Sequence, residues 1–480
     1  MKRILTVLAL TAFAAVSELD ARVSLPSVIS DNMVLQQQTR AAIWGTAAPG
    51  STVTVSASWS KARVKTVADP DSGKWLVRID TPSAGGPYEI TVSDGQPVTL
   101  KNVLIGEVWF CSGQSNMEMP VKGYNSQPVR NGTEYIVSAR PSRPIRICNI
   151  ERKASRTPLE ESRGSWEEHT PATVAVTSAT AYFFAETLQS ATDVPVGIIV
   201  SSWGGCKIEA FMDRQTISTE FPDYDLAYLD NPDIEVKAIS VPCMLFNGQV
   251  APLVPYTFKG MIWYQGESNR FKPERYIRLQ EAYVRMMRDR FEVPDAPFYF
   301  AQIAPYRYED PRNCELGYFN EAQQKTLSVI PHSGMAVLCD IGEFGTIHPC
   351  EKQKVGQRLA YLALCHDYGW DMIEADAPTY KRVEFRDGKA YVTLEAGALS
   401  PMGTDLGGFE VAGADKVFHP AVGRLWHKGN CTIEVTCPEV AEPVAVRYCF
   451  RDWSAGSVYN NYGIPAAPFR TDDWDIEEVR

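Results

Sequence analysis

The chain has 480 residues, 45% hydrophobic and 22% charged, with a formal net charge of −11. That length exceeds one ordinary domain, and the composition is that of a globular protein with room for a large core. The acidic balance, with no long basic run, excludes nucleic acid and anionic membrane surfaces as expected partners.

The first residues have the pattern of an export signal. Lys2 and Arg3 form a positive start, and the apolar run from Ile4 to Val16 is too short to span a bilayer. Small residues at Ala14, Ala15, Ser17 and Ala21 offer cleavage points, and no Cys follows for lipid attachment. The expectation is a signal peptide over residues 1–22 and an exported, periplasmic or extracellular protein. No later stretch is apolar enough for a membrane-spanning helix.

Residues 23–102 read as β only. Thr52 to Ser58 alternates with period two, and turn signals recur at Ala48-Pro49-Gly50, Asp69 to Gly73 and Ser93-Asp94-Gly95, which predicts a small sandwich. From 103 to 372 strand-like runs (Val103–Cys111, Val194–Ser201, Gly260–Tyr264, Phe298–Ile303, Met335–Cys339) alternate with helical patterns over Pro273–Glu292 and after Pro349. Strand–helix alternation argues a parallel sheet covered on both faces, with ligands beyond the carboxyl ends of the strands. Residues 373–480 return to β, with a hairpin signal at Asp387-Gly388. The two β regions can form separate domains or join into one.

Eleven cysteines are scattered, with no C-x-x-C pair. Most read as small buried apolar residues, and Cys431 with Cys437 is the disulfide candidate. There is no H-E-x-x-H, no Cys/His ligand cluster, no P-loop and no G-x-G-x-x-G after a strand, so no metal or other cofactor is expected.

Four segments carry chemistry. In Val108 to Met117 an apolar strand runs into a turn of small and polar residues, which places Ser115 either as a nucleophile or as a helix cap. Met261 to Asn269 sets Gln265 and Gly266 at another strand end, as an amide donor and an open backbone or as a structural turn. Ser201-Ser202-Trp203-Gly204-Gly205 exposes backbone N–H groups that suit an oxyanion hole or a tight turn. In Ile347-His348-Pro349, His348 lies in a turn between a strand and a helix, where an imidazole can reach the edge that carries Ser115. Trp203, Trp263 and Tyr264 suit a sugar face and a core equally.

Together these segments resemble the sialate O-acetylesterases of the SGNH-hydrolase superfamily. The resemblance lies in Ser112 to Met119, Trp263 to Asn269, Ile347-His348-Pro349 with Lys352 or Lys354, and Ser201 to Glu209. It extends to the opening Leu25 to Gln36 and the closing Pro465 to Asp472, nearly all of the mature chain. It implies an α/β fold with an SGNH-like three-layer parallel sheet and additional all-β, sandwich-like regions at both ends. It also implies Ser115 as nucleophile, His348 as base, and an oxyanion hole from the Ser115 N–H, Gly204 or Gly205, and Gln265. The reaction implied is hydrolysis of O-acetyl groups on sugars, 9-O-acetylated sialic acids first and acetylated plant polysaccharides such as xylan second. An inactive carbohydrate-binding relative is the reading from another class. One departure stands out. Where many relatives carry an Asp two or three residues before the histidine, this chain has Thr346 and Gly345. Asp340, Glu343 or a backbone carbonyl is left to orient the imidazole, and the expectation is a working Ser–His dyad.

Overall fold

The computed structural model describes residues 23–426 and 431–475. The expected signal peptide lies outside the described residues. Six neighbouring strands form a parallel array with Pro97–Gly113 near its centre. Val196–Ser202 and then Ile145–Asn149 pair on one side, and Gly260–Tyr264, Phe298–Ala301 and Ser333–Ala336 on the other. Trp166–Glu168 closes one edge antiparallel. Val196–Ser202, Gly260–Tyr264 and Phe298–Ala301 are buried along their whole lengths. Continuous burial, rather than alternation, is what a sheet covered on both faces produces.

Adjacent residues show the two faces. The Trp109 ring lies 4.7 Å from Phe184 of the helix Ala179–Thr192. The Phe110 ring points the other way, 5.8 Å from Phe291 at the end of the helix Pro273–Arg290. On the first face the helix Lys352–Asp367 packs so closely that a Cβ on Gly356 would stand 2.6 Å from Phe183. The result is a three-layer α/β/α arrangement. Ile145–Asn149 is a sheet strand that the sequence reading passed over. It is short and carries Arg146 and Asn149, which break its apolar run.

The amino-terminal β residues do not end where the α/β portion begins. Pro97–Gly113 is one strand of 17 residues. Its first part pairs antiparallel with Gly85–Ser93, and its last part enters the parallel array. The boundary expected at 102/103 therefore falls inside a strand. The carboxyl-terminal β residues form a separate seven-stranded sheet. In it Asp387 and Gly388 both have positive φ, 53° and 71°, as a two-residue hairpin turn requires. Cys431 and Cys437 are not bridged, and all eleven cysteines are free. The Cys431 Sγ instead donates to the Ala396 carbonyl at 3.2 Å.

One buried ion pair ties the carboxyl-terminal sheet to its last strand. Arg447 makes two bonds to Asp472, 2.9 and 2.7 Å, and both side chains are within 1% of complete burial. Arg447→Met leaves that carboxylate buried and short of its main partner. It is expected to lower unfolding free energy by about 3–5 kcal/mol, read by chemical denaturation, whereas an exposed pair such as Arg424–Asp405 broken the same way should cost about 1 kcal/mol or less.

Candidate active site

The site is built where three parallel strands end together. Pro97–Gly113 ends at Gly113, whose φ of 146° and whose Cβ position 2.1 Å from the Tyr264 carbonyl oxygen demand glycine. Gln114 N–H then donates to that same carbonyl, and the Gln114 side-chain oxygen accepts from Gly266 N–H at 3.2 Å. The first two signature segments are thus joined side by side. Ser115 follows at the start of a single helical turn, Ser115–Glu118, and is half-buried between the buried Gln114 and Asn116. The turn is too short to lend Ser115 the field of a full helix.

His348 is brought to the same edge from 233 residues away along the chain. The Asn116 amide donates to the carbonyl of Ile347 at 3.1 Å. Tyr124 touches both sides of the site: its hydroxyl donates to the Ser115 carbonyl at 3.2 Å and its ring meets the His348 ring at 5.4 Å, edge to face. Among the described residues the Ser115 hydroxyl and His348 Nε2 form no hydrogen bond, with each other or elsewhere. In unliganded hydrolases that bond is often long and tightens when substrate arrives.

The imidazole has a partner that the sequence reading did not name. Gln127 Oε1 lies 2.7 Å from His348 Nδ1. An amide oxygen only accepts, so Nδ1 carries the proton and Nε2 keeps its lone pair. Gln127 sits in a tight turn closed by paired bonds between Tyr124 and Gln127, which puts both residues against the same ring. Neither carboxylate expected as third member takes this role. Asp340 is held by two 2.7 Å bonds to Arg358, and both side chains are buried. Glu343 accepts from the Cys350 N–H at 2.6 Å and closes the loop around His348.

Burial pushes the His348 pKa down to about 4, with the Lys352 ammonium adding to the effect. Lys352 is fully buried and is itself lowered to about 7, by burial first, with Glu267 and Glu343 opposing. Burial raises the Glu267 carboxyl above its usual range.

The expected oxyanion donors are placed differently from one another. Ser115 N–H opens its helical turn, where amides have no intrahelical acceptor. A Cβ on Gly204 would lie 3.4 Å from the Ser115 Cβ, so this backbone borders Ser115. The Gly204 N–H, however, is donated to Glu118 Oε2, and Glu118 Oε1 accepts from Arg152 at 2.7 Å. Gly205 is exposed in a turn at φ 70°. Gln265 is a correction: its amide donates to the Cys206 carbonyl at 3.1 Å and to Asn269 Oδ1 at 2.7 Å, and it is completely buried. Both hydrogens are spent on the scaffold. Asn269 passes the connection on to Glu209, at 2.8 Å, so the glycine-pair segment and the glutamine segment are braced together. Trp263 and Tyr264 are core residues. The Trp263 ring packs 4.6 Å from Tyr283, and Trp203 alone of the three is partly exposed. Among the described residues no group of His, Cys, Asp and Glu side chains could hold a metal ion, and no helix is long and apolar enough to cross a membrane.

Comparison with known proteins identifies the family. The profile described as carbohydrate esterase, sialic acid-specific acetylesterase, matches residues 105–364, more than half of the chain. The chain is 27% identical to the sialate O-acetylesterase of Mus musculus over 418 residues, covering 75% of this chain and 76% of that protein. It is 27% identical to that of Homo sapiens over 403 residues, covering 77% and 75%. The crystal structure of a carbohydrate acetylesterase from Xanthomonas citri superposes with a TM-score of 0.83 at 33% identity, covering 94% of this chain and 100% of that one. The chain belongs to the carbohydrate esterase family of sialic acid-specific acetylesterases, and it is an esterase.

Proposed function

We propose that the protein removes O-acetyl groups from carbohydrates through an acetyl-enzyme on Ser115, on an SGNH-hydrolase-like core. The observation that carries this reading is the convergence of Ser115 and His348, with Asn116 bonded to the Ile347 carbonyl and Tyr124 touching both residues. His348 Nε2 takes the hydroxyl proton as Ser115 attacks the acetyl carbonyl, and returns it to the departing sugar alcohol. Water then enters by the same route and releases acetate. Gln127 replaces the acidic third member. It fixes the tautomer without adding negative charge, so the imidazolium is less stabilised than beside a carboxylate. The Ser115 N–H and the glycine turn receive the oxyanion. The Gly204 N–H joins them when Glu118 gives it up to the substrate. Residues 1–22 act as an export signal, and the enzyme works outside the cytoplasm.

The first substrate of this reading is a 9-O-acetylated sialic acid, in line with the family and its mammalian members. Its carboxylate needs a cation, and Arg152 stands one carboxylate away from Ser115, on Glu118. The same pair supports the second reading, a neutral acetylated polysaccharide such as xylan. Glu118 already satisfies Arg152 and sets a negative charge beside the nucleophile.

Acetate release from 9-O-acetyl-N-acetylneuraminic acid and from acetylated xylan decides between them. The first reading expects turnover of the sialate, a raised KM for it in Arg152→Ala, and loss of about 1000-fold or more in kcat for Ser115→Ala on every substrate. Turnover of xylan alone reverses the order of the two substrates, and full activity in Ser115→Ala overturns the mechanism.

The pH profile tests the base. With His348 neutral above about 4, kcat/KM should hold at mildly acidic pH and fall only as the pH approaches that value. Gln127→Glu places a carboxylate on Nδ1 and raises the imidazole pKa, so the acid limb should move to higher pH. Gln127→Ala should lower kcat about 100-fold, because the ring loses its fixed orientation. An unmoved limb in Gln127→Glu removes Gln127 from the mechanism.

A further inference from the structure

Behind the nucleophile lies a chain of buried polar groups that the reaction itself does not use. The Asn116 amide nitrogen donates to the Ile347 carbonyl at 3.1 Å and to Glu267 Oε1 at 2.6 Å. The Asn116 oxygen accepts from Lys352 Nζ at 2.7 Å, and the same ammonium donates to the Pro349 carbonyl at 2.7 Å. The carbonyls immediately before and after His348 are therefore both tied, one directly and one through Lys352, to the side chain next to Ser115. Asn116 and Lys352 are 1% and 0% exposed.

A core alone would not choose these groups. A buried ammonium with no carboxylate in ion-pair range is costly, and a methionine of similar volume would fill the space without that cost. Lys352 makes no ion pair among the described residues, and its ammonium lies over the Tyr264 ring at 5.9 Å. Glu267 Oε2 is buried and without a partner. Such retained cost concentrates at functional sites.

We propose that Asn116 and Lys352 are positioning residues that grip the backbone on both sides of His348 and set the imidazole against Ser115. The proposal rests on the Ser115–His348 reading above. It has an electrostatic consequence, because the ammonium also opposes protonation of His348. The charged and titratable groups facing the pair are Glu267 from the loop after Gly260–Tyr264, Glu343 and Cys350 from the loop of His348, and the rings of Tyr124 and Tyr264.

The test uses the full chain and p-nitrophenyl acetate. Lys352→Met should lower kcat about 10- to 100-fold with KM within about twofold, because alignment fails rather than binding. Its acid limb should move to higher pH, because the imidazole loses a neighbouring cation. Lys352→Arg and Asn116→Ala keep a cation near His348. They should lower kcat while leaving the limb in place, and they carry the test if Lys352→Met does not fold. Circular dichroism reports folding for each variant. A limb that does not move in a folded Lys352→Met, or a loss of activity that only tracks the unfolded fraction in all three, overturns the proposal. Ser115→Ala separates the two claims. If it is inactive while folded Lys352→Met and Asn116→Ala match the parent, only the grip is wrong; if it retains turnover, the Ser–His reading falls as well.

Discussion

Gly113 and the Tyr264 carbonyl oxygen approach so closely that no side chain fits between them. Everything at the site follows from this contact. Parallel pairing of Gly260–Tyr264 with Trp109–Gly113 brings the two strand ends level, and the absent Cβ lets them stay in register to the last residue. The loops that leave these ends begin side by side, so Gln114 can bond Gly266, and Ser115 emerges between buried neighbours. From Pro97–Gly113 the chain passes to Ile145–Asn149 two positions away, returns to Val196–Ser202 beside the first strand, and then crosses to Gly260–Tyr264 on the other side. The carboxyl edge beside Pro97–Gly113 is therefore the switch point where doubly wound sheets open a crevice.

The polar residues of the signature segments serve mainly to support that edge. Gln114, Asn116, Gln265 and Asn269 are amides whose hydrogen bonds go to one another, to backbone, or to buried side chains: Glu209, Glu267, Lys352 and Tyr276. An amide suits this edge because it satisfies a donor and an acceptor without burying net charge. The result is a floor of fixed dipoles beneath one partly exposed hydroxyl. Pre-organised groups of this kind cost nothing to reorganise during reaction, which is where polar sites gain most.

The fold was legible in the sequence to the extent that it depends on local pattern. The apolar runs ending at Cys111, Ser201 and Tyr264 mark strands because a doubly covered sheet needs continuous apolar segments. The helix after Pro273 and the Asp387-Gly388 turn follow from short-range chemistry as well. What depends on tertiary contact was not legible. The boundary at 102/103 failed because one strand serves two sheet regions, and composition changes along it with no break in the backbone. In the site, Ser115 and His348 were visible as a small-residue turn and an isolated histidine before a helix. Gln127 was not, because it meets the ring from 221 residues away and a glutamine in a surface turn carries no signal. Gln265 was visible, but which way its amide points is decided by Cys206 and Asn269.

A base partnered by an amide behaves differently from one partnered by a carboxylate. A carboxylate orients the ring and also stabilises the cation that forms on proton transfer; Gln127 supplies the orientation alone. Burial and the Lys352 ammonium work against the cation further, so His348, as the proposed base, would be a weak one. A weaker base gives up some driving force for removing the hydroxyl proton, but it stays unprotonated over a wider acidic range. In the proposed reaction the proton it takes would also be returned readily, which would favour the second half of the step, donation to the departing sugar oxygen. The chemistry proposed for Ser115 and His348 would then lean on placement more than on basicity. That fits a histidine whose flanking carbonyls are both tethered to Asn116, the residue beside Ser115.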